Sequence, residues 1–127
     1  MITVSVKSLA VFLALTGLIS QAQSACLALP TTLSGTLLVA RTQHPNGTPI
    51  TAYQIRVASP LSVEGMTSDG CVTASLIQVV PADKKQQRRF AQSVGKTISI
   101  ISPDVFEAHT AWHIGEAVAL QARVLDE

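Results

Sequence analysis

The sequence predicts a mainly β fold, a small five-stranded barrel with one short helix between its third and fourth strands. Three observations predict it. Polar and apolar residues alternate over several stretches of strand length. A single stretch carries helix start and stop signals. A glycine also interrupts the first alternating stretch, where one strand would have to bend to serve two neighbours.

Residues 1–24 stand apart from that domain. Lys7 is the lone charge ahead of an apolar run over residues 9–19, which is shorter than the ~20 residues a membrane-spanning helix needs but suits a secretory signal. Ala22 and Ser24 occupy the −3 and −1 places of a cut before Ala25, so cleavage is expected at about 22–25. This leaves a single domain over residues 26–127, with no transmembrane span after cleavage and a periplasmic or secreted location. Cys26 follows the cut directly, which also raises lipidation of a new N-terminal cysteine. The place three before it is Gln23 rather than the leucine such signals favour.

The mature chain holds two cysteines, Cys26 and Cys71. In an oxidising compartment an even count reads as one disulfide. A reactive or metal-binding thiol pair would call for a CxxC spacing that is missing here. Without Lys7, the nine basic residues become eight and balance eight acidic ones. Nucleic-acid binders carry a large positive excess, so that partner class is not expected.

The first strand is expected over residues 32–42, with Leu33, Leu37 and Val39 inward, Ser34 and Thr36 outward, and Gly35 at the bend. Asn46-Gly47 suits a tight turn. The second strand places Tyr53, Ile55 and Val57 on one face and Gln54 and Arg56 on the other, and Pro60 is expected to end it. Cys71 opens the third, with Val72, Ala74, Leu76 and Val80 inward. Asp83 is then the N-cap of a short helix whose face carries Phe90 and Val94 and which stops at Gly95. Lys84, Lys85, Arg88 and Arg89 lie on its outer surface, a solvated basic face or a contact for an anionic partner. Residues 96–101 and 116–125 supply the last two strands, the latter alternating Val118, Leu120, Ala122 and Val124 with Ala119, Gln121 and Arg123. Three strands, a helix and two strands, with a glycine-bent first strand, fit an OB-type barrel. Aromatic residues make up only 4% of the chain, which argues against the base-stacking platform that nucleic-acid-binding barrels of this type use.

The chemistry-bearing stretch is FEAHTAWHIGEAVAL. His109 and His113 are four apart, with Trp112, the only tryptophan, between them and Glu107 just ahead. Glu107, His109, Trp112 and His113 are the ligand-binding candidates. A zinc or copper site would use His109 and His113 and needs a third ligand, for which Glu107 or His44 are the candidates. No catalytic residues are assigned, since there is no GxSxG elbow, HExxH helix or cysteine-nucleophile context. The structural alternative has both histidines donating to loop carbonyls while Trp112 covers the barrel end, with His44 a solvated loop residue.

Three stretches in order, CLALPTTLSGTLL, LIQVVPADKKQQRRFAQSVGKTISI and FEAHTAWHIGEAVAL, resemble the bacterial exported family "domain of unknown function 4431". The motifs are Cys26 with Leu33-Ser34-Gly35-Thr36-Leu37, Ile77-Gln78-Val79-Val80, Val94-Gly95-Lys96 and the phrase from Phe106 to His113. Trp112 stands where the family phrase has a histidine. The resemblance implies an OB-like barrel and export, and no known activity. The expected function is a non-catalytic binding or accessory module of the bacterial envelope, for an envelope protein, glycan or small ligand. Alternatives are a histidine-based metal-binding protein and an inhibitor of an envelope-directed enzyme.

Overall fold

The computed structural model describes residues 25–67 and 69–126. The expected signal segment, residues 1–24, lies outside the described residues. Six strands and one helix follow in the order β1 (Thr31–Gln43), β2 (Pro49–Glu64), β3 (Cys71–Pro81), α1 (Lys84–Ser93), β4 (Thr97–Ser102), β5 (Asp104–Glu107) and β6 (Ala117–Val124). They form one sheet in the order β1-β4-β6-β3-β2-β5, and a further β1–β2 pairing closes β1, β4, β6, β3 and β2 into a ring. All these ladders are antiparallel except β3–β6 and the single β2–β5 bridge. Among the described residues no helix is long and apolar enough to cross a membrane.

The bend expected at Gly35 is where β1 changes partner. Residues 31–36 pair with β4 and residues 35–43 with β2, so Gly35 faces both Ile98 and Val57. A Cβ at position 35 would run into the carbonyl oxygen of Arg56. Only glycine permits that approach. Leu33 and Leu37, on either side, are buried as the alternation predicts.

The sixth strand arises from Pro103. Proline has no N–H to give a ladder, so the fourth strand breaks there into β4 and β5. Both halves still pair with β6, Ile101 opposite Arg123 and Asp104 opposite Leu120, three residues on along each chain. The buried Ser102 hydroxyl fills the corner, donating to the Leu120 carbonyl at 2.6 Å and accepting from the Asp104 N–H at 3.2 Å. Part of the region expected to be loop is therefore strand.

Pro60, expected to end β2, sits instead in a bulge within it. Arg56 pairs with Leu76 and Leu61 with Ala74, so five steps on β2 answer two on β3. In β3 the buried residues are Ala74, Ile77 and Val79, which corrects the expected inward set. Leu76 and Val80 are only half-buried, because alternation slips by one between Ala74 and Ile77. β6 slips too: Ala117, Val118 and Ala119 are all buried, and Gln121 takes a positive φ of 50°.

Asp83 caps α1 as expected, its carboxylate accepting the Gln86 N–H at 2.8 Å. The buried face is Gln86 and Phe90 rather than Phe90 and Val94, and Val94 is 39% exposed. Phe90 enters the core edge-on to Tyr53, with ring centroids 5.5 Å apart. Gln86 is buried because its Oε1 accepts the Val124 N–H at 2.8 Å, joining helix to last strand. That bond offsets the cost of burying an amide.

Cys26 and Cys71 form a disulfide with Cα atoms 5.5 Å apart, and the Leu27 N–H donates to the Ser62 carbonyl at 2.7 Å. The segment before β1 is thereby strapped across the β2–β3 hairpin, where Cys71 pairs with Glu64. With its sulfur bonded to Cys71, Cys26 has no thiol for a lipid.

Two outcomes follow from this architecture. Replacing both cysteines by serine lowers the unfolding free energy by up to about 4 kcal/mol, the scale that loop-closure entropy gives for a loop of this length; urea denaturation of oxidised, reduced and double-serine protein measures it, with the latter two equal. Gly35→Ala costs about 2–3 kcal/mol through overpacking against the Arg56 carbonyl, whereas Gly47→Ala, at a turn where a Cβ meets nothing within 4 Å, costs less.

Candidate functional site

Two loops meet at one edge of the closed sheet, the β1–β2 turn at residues 44–48 and the β5–β6 connection at residues 108–116. Each is built around an imidazole. In the first, the His44 Nδ1 accepts the Asn46 N–H at 3.1 Å, Asn46 Oδ1 accepts the Thr48 N–H at 2.9 Å, and the His44 and Thr48 backbones close the turn at 2.8 Å. In the second, the His113 Nδ1 accepts the N–H groups of His109 at 3.0 Å and Thr110 at 3.3 Å, and its own N–H donates to the Thr110 carbonyl at 3.1 Å. An acceptor Nδ1 places the proton of neutral His113 on Nε2.

The feet of the longer loop are fixed by two carboxylates. Glu107 Oε1 accepts the N–H groups of Met66 at 2.8 Å and Thr67 at 3.1 Å, tying β5 to the β2–β3 turn. Glu116 Oε1 accepts Ser75 N–H at 2.7 Å and Leu76 N–H at 3.1 Å. Two successive amides can point at one oxygen only where strand alternation fails, so Glu116 fills the irregularity in β3. These bonds hold the Glu107 carboxyl (Thr67 first, then Met66) and the Glu116 carboxyl (Ser75, then Leu76) below the ordinary value.

The middle of the loop is clamped by two glutamines that face each other across β2 and β3. Gln54 Nε2 donates to the Ile114 carbonyl at 2.6 Å, and Gln78 Oε1 accepts the Ile114 N–H at 2.7 Å. Gln54, expected on the outer face, is buried under this loop. Gly115 lies where a Cβ would come within 3.0 Å of the Leu76 carbonyl oxygen and 3.1 Å of the Gln78 nitrogen.

On that support Trp112 stands 47% exposed, its ring stacked on His44 with centroids 3.9 Å apart and planes 26° from parallel. His44, expected to be a solvated loop residue, is its stacking partner. Behind the pair, His109 and His113 meet edge to face at 4.8 Å, with Phe106 within 5.6 Å and 5.9 Å of their respective rings. His109 contacts the Glu107 carbonyl through Nδ1 at 3.1 Å, as a donor to a loop carbonyl should. His113 departs from the expectation, accepting where donation was expected. Burial, then the charge of His109, hold its pKa below the ordinary value.

The structure sets Trp112 on His44 and His109 against His113, but turns the Glu107 carboxylate away to another turn. Among the described residues no three of His, Cys, Asp and Glu gather as a metal site would require. His113 Nδ1, committed to two amides, has no lone pair left for a metal. On the basic helix face Lys84, Lys85 and Arg88 are exposed, while Arg89 pairs with Asp126 and Arg123 lies 3.3 Å from Asp83. A separate cleft of about 410 Å³ opens where β2 and β3 part beyond the Tyr53–Val79 pair, lined by Tyr53, Val80, Asp83 and Lys84 among others.

Sequence reasoning missed Glu116, Gln54 and Gln78. The one signal for Glu116 was an acidic residue at the head of an apolar strand. Gln54 looked like an ordinary outward-facing residue, and Gln78, on the parity of the set expected inward, stood out only as one polar position in an apolar strand. No protein family, characterised protein or solved structure matches this chain.

Both depressed carboxyl pKa values give stability that is complete above the ordinary value of 4.5 and is lost as pH falls through the folded-state values. The urea midpoint should therefore drop below pH 4.5, and the Glu107→Gln, Glu116→Gln double variant should show a flatter profile between pH 5 and pH 3.

Proposed function

We propose that this chain is a non-catalytic binding module of the bacterial envelope, an OB-type barrel of the domain of unknown function 4431 kind, recognising its partner through the His44–Trp112 pair. The observation that carries the reading is an exposed tryptophan on a braced loop. Ile114, Glu116 and Gly115 hold that loop against β3, and the β1–β2 turn supports the indole from the other side. A large aromatic held in place loses little entropy when it is covered, which is why tryptophan is enriched among the residues that dominate binding energy.

The surface offers a flat ring, an imidazole beside it and the His109 edge. Such a surface suits stacking on a sugar ring or on a planar side chain of an envelope protein. The exposed carboxylate chemistry nearby is small, since Glu107 and Glu116 are committed to backbone amides. Export is supported by the signal-like character of residues 1–24 and agrees with a disulfide.

A photo-crosslinking residue at the exposed position 111, beside an intact Trp112, should give a discrete adduct in cells, and one at the exposed Ser59 should give none. Trp112→Ala should weaken retention of the captured partner about thirtyfold, the loss that defines a dominant contact. Absence of an adduct at 111, or equal adducts at both positions, would reject the reading.

A further inference from the structure

We propose that the 108–116 loop is operated by protons: neutral His113 holds it in the form that presents Trp112, and protonation of that imidazole releases it. The inference rests on the binding reading for its consequence, because the loop concerned is the recognition surface.

The geometry is specific to one protonation state. His113 Nδ1 faces two backbone donors, the N–H groups of His109 and Thr110 at 3.0 Å and 3.3 Å. An imidazolium carries hydrogen on both nitrogens and can accept from neither. Protonation would set three N–H groups against one another, so the ring must turn away and the two amides lose their acceptor. Turning it also disrupts the edge contacts with Phe106 and His109.

The charged surroundings do not oppose the change of shape. The Glu107 carboxylate on β5 faces Met66 and Thr67, and the Glu116 carboxylate at the head of β6 faces Ser75 and Leu76, so neither steadies a charged His113 in place. Within the loop the ionisable neighbour is His109, a like charge once protonated. Its own bond to the Glu107 carbonyl runs through Nδ1 and survives protonation. On the facing turn, His44 Nδ1 accepts the Asn46 N–H, so the second support of Trp112 is also organised by a neutral imidazole. The loop that carries Trp112 and the turn that stacks on it are thus each organised by an imidazole.

Release is local. The Ala108 N–H to Glu116 carbonyl bond and both contacts of Ile114 use no imidazole, so the strands on either side stay paired. Because burial and His109 hold the His113 pKa down, the ordered loop persists above the ordinary value of 6.5 and is lost as pH falls through the lower folded value.

The test is amide exchange and imidazole nitrogen resonances of the free protein between pH 8 and pH 4.5, after correction for intrinsic exchange. Neutral His113 should show the Nε2–H tautomer. Protection of the His109 and Thr110 amides should fall about tenfold or more on losing their acceptor, with the midpoint of His113 itself and below pH 6.5. The amides of Ile77 and Ala119 should be unaffected. His113→Asn supplies a non-titrating oxygen near the Nδ1 position and should keep both amides protected throughout, while His109→Gln should raise the His113 midpoint. The proposal is overturned if the wild-type amides ignore pH, if their midpoint lies above 6.5, or if folded His113→Asn responds as the wild type does. Should that variant not fold, the wild-type midpoints decide alone. Crosslinking at position 111 with Trp112 intact, repeated at pH 7.5 and pH 5, reads the consequence. Loss of the pH response in the free protein sinks the switch, and absence of adduct at both pH values sinks only the binding reading.

Discussion

A small sheet that closes on itself must bend sharply, and each bend breaks the two-residue rhythm of its strands. That constraint organises this protein. β1 passes from β4 to β2 at Gly35, β2 bulges between Arg56 and Leu61, β3 slips at Ser75 and Leu76, and β6 slips at Gln121. Bending leaves backbone groups without ladder partners, and a buried or crowded amide without an acceptor is costly. Each irregularity therefore needs its own remedy. Gly35 gives room, Glu116 gives an acceptor to two adjacent amides, and the Ser102 hydroxyl serves the corner beside Pro103.

The same remedies build the candidate site. Glu107 and Glu116 sit at the two ends of the 108–116 connection, and each spends its carboxylate on another part of the chain. Gln54 and Gln78, paired across β2 and β3, grip Ile114 from opposite sides of its peptide groups. The loop is long enough to wander, yet it is tied at both feet and in the middle. What remains exposed is the segment around Trp112, and its shape is set by His113 and by the stack on His44. Rigidity and exposure thus coexist at one residue, which lowers the entropy cost of binding there.

Much of the architecture was legible along the chain. Alternation located the main strands, Asp83 and Gly95 bounded the helix, and the two cysteines of the sequence gave the disulfide pair. The β1 bend was legible because a glycine inside an apolar alternation weakens the strand unless the backbone there must bend or be closely approached. The site was legible only as a cluster of residue types. His109, Trp112 and His113 stood out, but nothing in the spacing showed that Glu107 turns away, that His44 crosses from another loop, or that His113 accepts rather than donates.

The sequence by itself determined most of the extended segments, where the helix starts, and which sulfurs pair, because these depend on local periodicity, local capping and a count. Tertiary structure decided which side of each strand faces the core beyond its bends, shown by Ile77 and Val79 taking the places expected for Leu76 and Val80. It also decided what each polar side chain does, from the buried Gln54 to the carboxylate of Glu116. The reason is physical: inward direction past a bulge and the partner of a side chain depend on what closure brings from 40 or so residues away, as with Glu116 and Ser75 at a separation of 41.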